Sequence, residues 1–176
     1  MHTRGYLEEN VPGNSLSGKA MYRSPIDAYD RERAGACMLT RTPMKVEGSC
    51  HCGQITFDAE IDPAAVRICH CTDCQTLTGS AYRVNVRTPA TNFVLRSGTP
   101  KIYIKTAESG DKRAHAFCPD CGTPIYATDP HEPRAYGLRV GTLKQRAELR
   151  PTQQIWYRSA LPWVTDIRDV AHVERQ

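Results

Sequence analysis

At 176 residues the chain fits one domain with some excess, and 40% hydrophobic residues with twelve prolines suit a soluble, loop-rich fold. No apolar run approaches the ~20 residues needed to cross a bilayer, and the first residues carry Glu8 and Glu9 in place of an apolar stretch, against a signal peptide. The formal charge of +4 is mildly basic. Without export a disulfide framework is not expected, and the expected setting is the cytoplasm, where thiols stay reduced.

Residues 1–43 show no periodic apolar pattern and read as a flexible N-terminal extension outside the core. A short helix over Pro25 to Ala34 is the one element suggested there, with Ser24 capping and Asp27 in its first turn. Met38 and Met44 are both candidate translation starts, and Cys37, far from any partner cysteine, reads as a free thiol. From Met44 the character changes. Gln54 to Glu60, Ala81 to Val86, Phe93 to Arg96 and Lys101 to Lys105 alternate apolar and polar residues, as half-buried strands do. Further strands are expected at Ala114 to Phe117, Pro124 to Ala127, Tyr136 to Val140 and Gln154 to Tyr157. Turn signals such as Ser97-Gly98-Thr99-Pro100 and Ser109-Gly110-Asp111 separate them. Helix is scarce: a turn or two from Cys71 through Cys74 to Leu77, and a short C-terminal helix over Asp166 to Glu174. The pattern predicts a mainly β, antiparallel domain over 44–165, followed by a tail over 166–176.

Seven of the eight cysteines fall into three clusters: Cys50 and Cys52, Cys69, Cys71 and Cys74, and Cys118 and Cys121. In an extended Cys-x-Cys, residues i and i+2 project to one side, so both sulfurs can reach one ion while His51 and His70 point away. Cys118-Pro-Asp-Cys-Gly is a zinc-knuckle turn, with Gly122 free to take a positive φ. Four thiolates close a structural zinc site, and three leave an open corner for chemistry. The division that keeps each cluster intact puts one ion on Cys69, Cys71 and Cys74 and a second on Cys50, Cys52, Cys118 and Cys121. That second ion would join doublets 66 positions apart. Closing so long a loop is where a metal clip stabilises most. An alternative pairs Cys50/Cys52 with Cys69/Cys71 and leaves Cys74 with the knuckle.

Seven thiolate charges against the four of two Zn²⁺ ions bring the formal +4 down to +1. A chain so near neutral gives no support to general nucleic-acid binding, and Lys101, Lys105, Lys112 and Arg113 read as solvated strand edges and loops.

Three motifs carry a family likeness: Gly48-Ser-Cys-His-Cys-Gly, Cys69-His-Cys-x-x-Cys-Gln-x-x-x-Gly-Ser and Phe117-Cys-Pro-x-Cys-Gly-Thr-Pro-Ile. They resemble the glutathione-dependent formaldehyde-activating enzyme family, which also contains centromere protein V. The likeness continues through Val140-Gly141-Thr142-Leu143 and Ile155-Trp156 … Pro162-Trp163, covering about 46 to 164. The resemblance implies a β-tent fold with two Zn²⁺ per chain. It implies structural zinc on Cys50, Cys52, Cys118 and Cys121, and catalytic zinc on Cys69, Cys71 and Cys74. The implied activity is that of a carbon–sulfur lyase acting on adducts of a small thiol, glutathione or an analogue, with an aldehyde such as formaldehyde. Several relatives follow Gly-Thr-Leu with an Asp; here Lys144-Gln145 follows.

Other polar residues are weaker candidates. His70 is a candidate proton shuttle, against a supporting or surface role, and His115 reads as structural. Thr78, Gly79 and Ser80 either line the pocket or simply turn from helix to strand. Arg83 and Arg139 either meet a substrate carboxylate or face water. Tyr82, Trp156 and Trp163 read as core or rim packing. The competing class is a zinc-stabilised binding module or scaffold without catalysis, for which a glutathione titration would leave the second zinc unchanged.

Overall fold

The computed structural model describes residues 42–108 and 110–175. Nearly all of the extension expected over 1–43, with its short helix and Cys37, lies outside them.

The described residues form ten strands, β1 (Met44–Ser49), β2 (Thr56–Ile61), β3 (Val66–Cys69), β4 (Arg83–Pro89), β5 (Phe93–Ser97), β6 (Lys101–Thr106), β7 (Lys112–Phe117), β8 (Pro124–Thr128), β9 (Ala135–Arg139) and β10 (Gln153–Ile155), and one α-helix, α1 (Thr72–Thr78). They form a three-stranded sheet, β1-β2-β5, and a seven-stranded sheet, β10-β3-β4-β9-β8-β7-β6. The fold is mainly β with antiparallel sheets, as expected. One pair departs from that rule: β10 runs parallel to β3, with Ile155 beside Cys69. A parallel partner needs a long crossover, and the chain makes it by passing through the rest of the large sheet between Cys69 and Gln153.

Cross-strand partners put their side chains on one face of a sheet, so the registers of the large sheet sort its residues into two faces. Val66, Val86, Leu138, Tyr126, Ala116 and Ile102 form one continuous row across six strands. Most of that row is buried against Val46, Phe57, Ala59 and Ile61 of the small sheet. Each fully buried aliphatic side chain contributes roughly 1.5–3 kcal/mol. Phe93 of β5 completes the seam, with ring centroids 5.5 Å from Phe57, 4.5 Å from Tyr136 and 5.4 Å from Tyr126. Thr88 is fully buried there because its hydroxyl donates to the Glu60 carbonyl at 2.6 Å, tying β4 to β2. The opposite face carries Cys69 across from Arg83, and Arg67, Asn85 and Arg139 in one row.

Two strands escape the alternation argument. β1 hides because its second inward position is Gly48, whose missing side chain makes room for the Phe57 ring: a Cβ there would lie 2.1 Å from that ring. β3 is only four residues long and carries Arg67. The C-terminal helix expected over Asp166 to Glu174 does not form; the segment is a series of turns. Asp166 accepts from both the backbone N–H and the guanidinium of Arg168, a local alternative to helix. Ile167, Val170 and Val173 are exposed, so no buried apolar stripe supports a helix.

Gly48→Ala should therefore cost about 1–3 kcal/mol of stability through overpacking against Phe57. A lowered urea midpoint with an unchanged slope would show it, whereas an unchanged midpoint would mean that the ring has free space to move into.

Candidate metal centre

Two turns of the same construction carry the first four thiols. Cys50 N–H donates to the Ile55 carbonyl and Cys118 N–H to the Thr123 carbonyl, each five residues on and at 2.9 Å. Gly53 and Gly122 close these turns at φ 80° and 70°, a region glycine enters without strain. The His51 N–H donates to Thr123 Oγ1 at 3.1 Å, which ties one turn to the other. The four Sγ atoms lie within 4.8 Å of one another, with Cys50–Cys52 at 3.4 Å and Cys52–Cys118 at 3.7 Å. Sulfurs at tetrahedral corners about 2.3 Å from a zinc ion stand about 3.8 Å apart. The donor set fits the ion.

The other three thiols gather where β3 ends. Cys69 is the last residue of β3, Cys71 caps α1 and Cys74 lies in its first turn, with Cys74 N–H donating to Cys71 Sγ at 3.4 Å. Cys69 and Cys71 sulfurs are 3.5 Å apart, and all three fall within 4.8 Å of one another. Among the described residues no fourth His, Cys, Asp or Glu joins them. The two groups match the division that keeps each cluster intact, and Cys74 lies with Cys69 and Cys71, apart from the knuckle. Both groups can bind metal ions.

Crowding governs the acidity of these thiols. Hydrogen bonds from Cys69 and then Cys74 push Cys71 down to about 2, while contact with Cys71 pushes Cys69 up and contact with Cys69, then Cys71, pushes Cys74 up. In the quartet, the Thr123 hydroxyl and backbone hold Cys121 down at about 5. Burial acts to raise Cys50, but the Ile55 N–H and its neighbouring thiols hold it low. The Gln54 N–H pulls Cys52 down, yet the Cys50 thiol and burial leave it up at about 12. One ionised sulfur thus suppresses the next, and full ionisation of either group needs a cation among the sulfurs.

The side chains behind the trio are tied back rather than free. His70 is 1% exposed, and its Nε2 donates to Gln154 Oε1 at 2.7 Å. Tyr82 and Tyr157 meet its ring edge-on, each 5.7 Å away. Gln75 Nε2 bridges the carbonyls of His70 and Ser159 at 2.7 and 2.8 Å. Thr78 turns inward to donate to the Cys74 and Gln75 carbonyls and ends the helix. Gly79 and Ser80 line a cavity of about 780 Å³ with Gln75, Tyr82, Trp163 and Ile167. Trp163 is a rim residue, 58% exposed, and Trp156 packs under the Arg158 guanidinium at 4.9 Å.

Two expectations for the basic residues need correction. Lys105 is not solvated: its side chain is 10% exposed and paired with Asp73 at the start of α1. Arg83 and Arg139 do not face water either. They are 4% and 7% exposed, because alternation along β4 and β9 turns them onto the face that holds Cys69. Arg139 donates to Asn85 Oδ1 at 2.5 Å and to His115 Nδ1 at 3.2 Å. Burial, then the Arg139 charge, holds His115 down at about 4, so it stays a neutral acceptor. Burial, then Arg83, lowers Arg139 to about 9, which leaves it charged at neutral pH. Lys144 and Gln145, which follow Gly141-Thr142-Leu143, bind β1: Lys144 Nζ meets Glu47 Oε2 at 2.5 Å and Gln145 Oε1 accepts from the Glu47 N–H at 3.2 Å.

A Halomonas elongata protein provisionally named a glutathione-dependent formaldehyde-activating enzyme is 31% identical over 96 residues, 51% of this chain and 60% of that protein's length. A crystal structure of a Rhodobacter sphaeroides protein is similar at 20% identity, with a TM-score of 0.49 over 61% of this chain and 98% of the other. The profile of the glutathione-dependent formaldehyde-activating enzyme family matches residues 45–159, a stretch that contains both thiol groups, and the chain belongs to that family.

Proposed function

We propose that the protein is a zinc-dependent carbon–sulfur lyase and synthase acting on the adduct of a small thiol, glutathione or an analogue, with an aldehyde such as formaldehyde. The observation that carries this reading is the convergence of three sulfurs, Cys69, Cys71 and Cys74, without a fourth protein ligand among the described residues. The name of the Halomonas relative and the family's description point to the same pair of substrates. Cys50, Cys52, Cys118 and Cys121 hold the structural zinc, and the catalytic domain runs over 44–165 with 166–176 as its tail. No helix among the described residues is long and apolar enough to cross a membrane. Seven cysteines without disulfides among the described residues suit the reducing cytoplasm.

Cys69, Cys71 and Cys74 would hold the zinc ion, which when bound would supply the acidity that lets an incoming thiol give up its proton. The chain's own residues set up the rest. Backbone pairing of Cys69 with Arg83 and Ile155, and capping of α1 by Cys71, fix where the three sulfurs point. Lys105, anchored on Asp73, adds positive charge that favours an ionised Cys71. The substrate thiolate attacks the aldehyde carbon and forms the carbon–sulfur bond. The carbonyl π pair moves to oxygen, which takes up a proton to give the hydroxymethyl thioether; the reverse is the lyase direction. Atoms and charge balance without an oxidant or reductant.

Two measurements check this. Metal analysis should find two zinc ions per chain and one in Cys74→Ala, which keeps its β circular dichroism. Cys118→Ala, which breaks the clip between the two turns, should lose the cooperative fold or most of its stability. A single zinc in the wild type would contradict the two-site assignment.

Formaldehyde adds to glutathione unaided, so the catalytic test is exchange NMR of the two at equilibrium, with and without zinc-loaded protein. Faster interconversion of free glutathione and its hydroxymethyl adduct, abolished in Cys74→Ala, is the expected result. No acceleration with both zinc ions present would reject this chemistry.

A further inference from the structure

A buried guanidinium costs several kcal/mol unless an anion meets it. Arg83 Nε and Nη1 and Arg139 Nε are buried without a hydrogen-bond partner. The groups that do hold Arg139, Asn85 and His115, are neutral. No carboxylate of a described residue pairs with either arginine, and the nearby Lys105 already takes Asp73. The groups on this face that would become anionic with a cation among them are the trio's sulfurs. Cys69 stands directly opposite Arg83 across the β3–β4 pair, and Arg139 lies one row further along the same face. Burial lowers the Arg83 pKa and the charges of Cys74, Cys69 and Cys71 raise it; Cys74 and Cys69 act in the same sense on Arg139.

We infer that Arg83 and Arg139 are the built-in counter-charge of the thiol trio and make its open position specific for an anionic sulfur. This inference rests on the reading of the trio as the reactive zinc site. Three thiolates on a dication carry one negative charge, and a substrate thiolate adds a second. The two guanidinium charges then bring the set to neutrality. With a water molecule or a carbonyl oxygen in the same place, one positive charge is left over in a desolvated setting. The pair therefore favours a thiolate over neutral ligands, whatever the rest of the thiol molecule is. Arg83, opposite Cys69, is the specificity-determining residue, and Arg139 supports it from a position fixed by Asn85 and His115.

The test compares wild type, Arg83→Met and Arg83→Lys as zinc-loaded full-length chains. Calorimetric titrations use glutathione and 2-mercaptoethanol, a thiol with no other charged group. A chelator competition follows the zinc of the trio and the zinc of the quartet separately. Arg83→Met should bind both thiols roughly ten- to a hundredfold more weakly, the range of one opposite charge close to an ionised group. It should yield the trio's zinc more readily while the quartet's zinc is held as in the wild type. Arg83→Lys should recover most of both losses, which a merely structural arginine would not allow. A loss confined to glutathione would overturn the inference and make Arg83 a contact for the peptide's carboxylate. Equal losses in the Met and Lys variants would overturn it in favour of a packing role. If the wild type binds neither thiol, the proposed function fails, and the chelator arm still decides: unchanged retention of the trio's zinc in Arg83→Met overturns the counter-charge, and easier loss supports it.

Discussion

The alternation of side chains along β4 is the constraint on which the rest of the molecule depends. Val84, Val86 and Thr88 share one face of the strand, and Arg83, Asn85 and Arg87 share the other. The first set joins the core against the small sheet, locked by the Thr88 hydroxyl on Glu60. The second set lies on the face that meets the thiols. A slip of one residue in the β3–β4 register would exchange the two sets, burying arginines in the core and turning valines to the sulfurs. Core packing and site electrostatics are therefore two consequences of one pairing, Val66 with Val86 and Cys69 with Arg83.

That coupling separates the two thiol groups by environment as well as by ligand count. The quartet is built from two turns at the rim, with Cys52 exposed, and its acidities are set by neighbouring thiols and by N–H and O–H donors. The trio is set into a sheet face, and charged side chains act on it: Lys105 on Cys71, Arg83 on all three sulfurs, and Arg139 on Cys74 and Cys69. A closed, hydrogen-bonded site suits a structural clip, because nothing there can exchange. A three-sulfur site beside buried positive charge suits a ligand that arrives neutral and stays as an anion.

Much of the site was legible in cysteine spacing. Cys69-x-Cys71 on extended backbone and the Cys-Pro-Asp-Cys-Gly turn bring their sulfurs together as their local geometry dictates, and Gly122 takes the positive φ that the knuckle requires; Cys50-x-Cys52, expected to be extended as well, instead meets in a turn closed by Gly53. Local rules of this kind act over a few residues and leave a direct mark on the sequence. The burial of Arg83 and Arg139 leaves none, since alternation predicts which face a residue shares and says nothing of what covers that face. β1 was hidden by the same limit: Gly48 is an inward position filled by the ring of Phe57 from the neighbouring strand. The parallel β10 depends on a partner 86 positions away, Arg67 beside Gln153, which no local pattern encodes.

This late strand also explains how a seven-residue helix can hold two of the trio's three sulfurs steady. So short a helix is marginal by itself, and α1 buries none of its residues. Its support comes from the C-terminal strap. Ile155 accepts the His70 N–H at 3.1 Å, Gln154 accepts from the His70 ring, and Gln75 reaches from the helix to Ser159 beyond the strand. Between them Trp156 sits at φ 57° and ψ 36°, a region that a bulky residue occupies only when its surroundings compel it. The bend it makes starts the turn that lays Tyr157 edge-on against His70. The strain in that one residue is thus part of what wedges the Cys-His-Cys loop between the strap and the arginine face. A thiol site so held can meet a new ligand without first collecting its own sulfurs, and the organising cost of binding falls on folding.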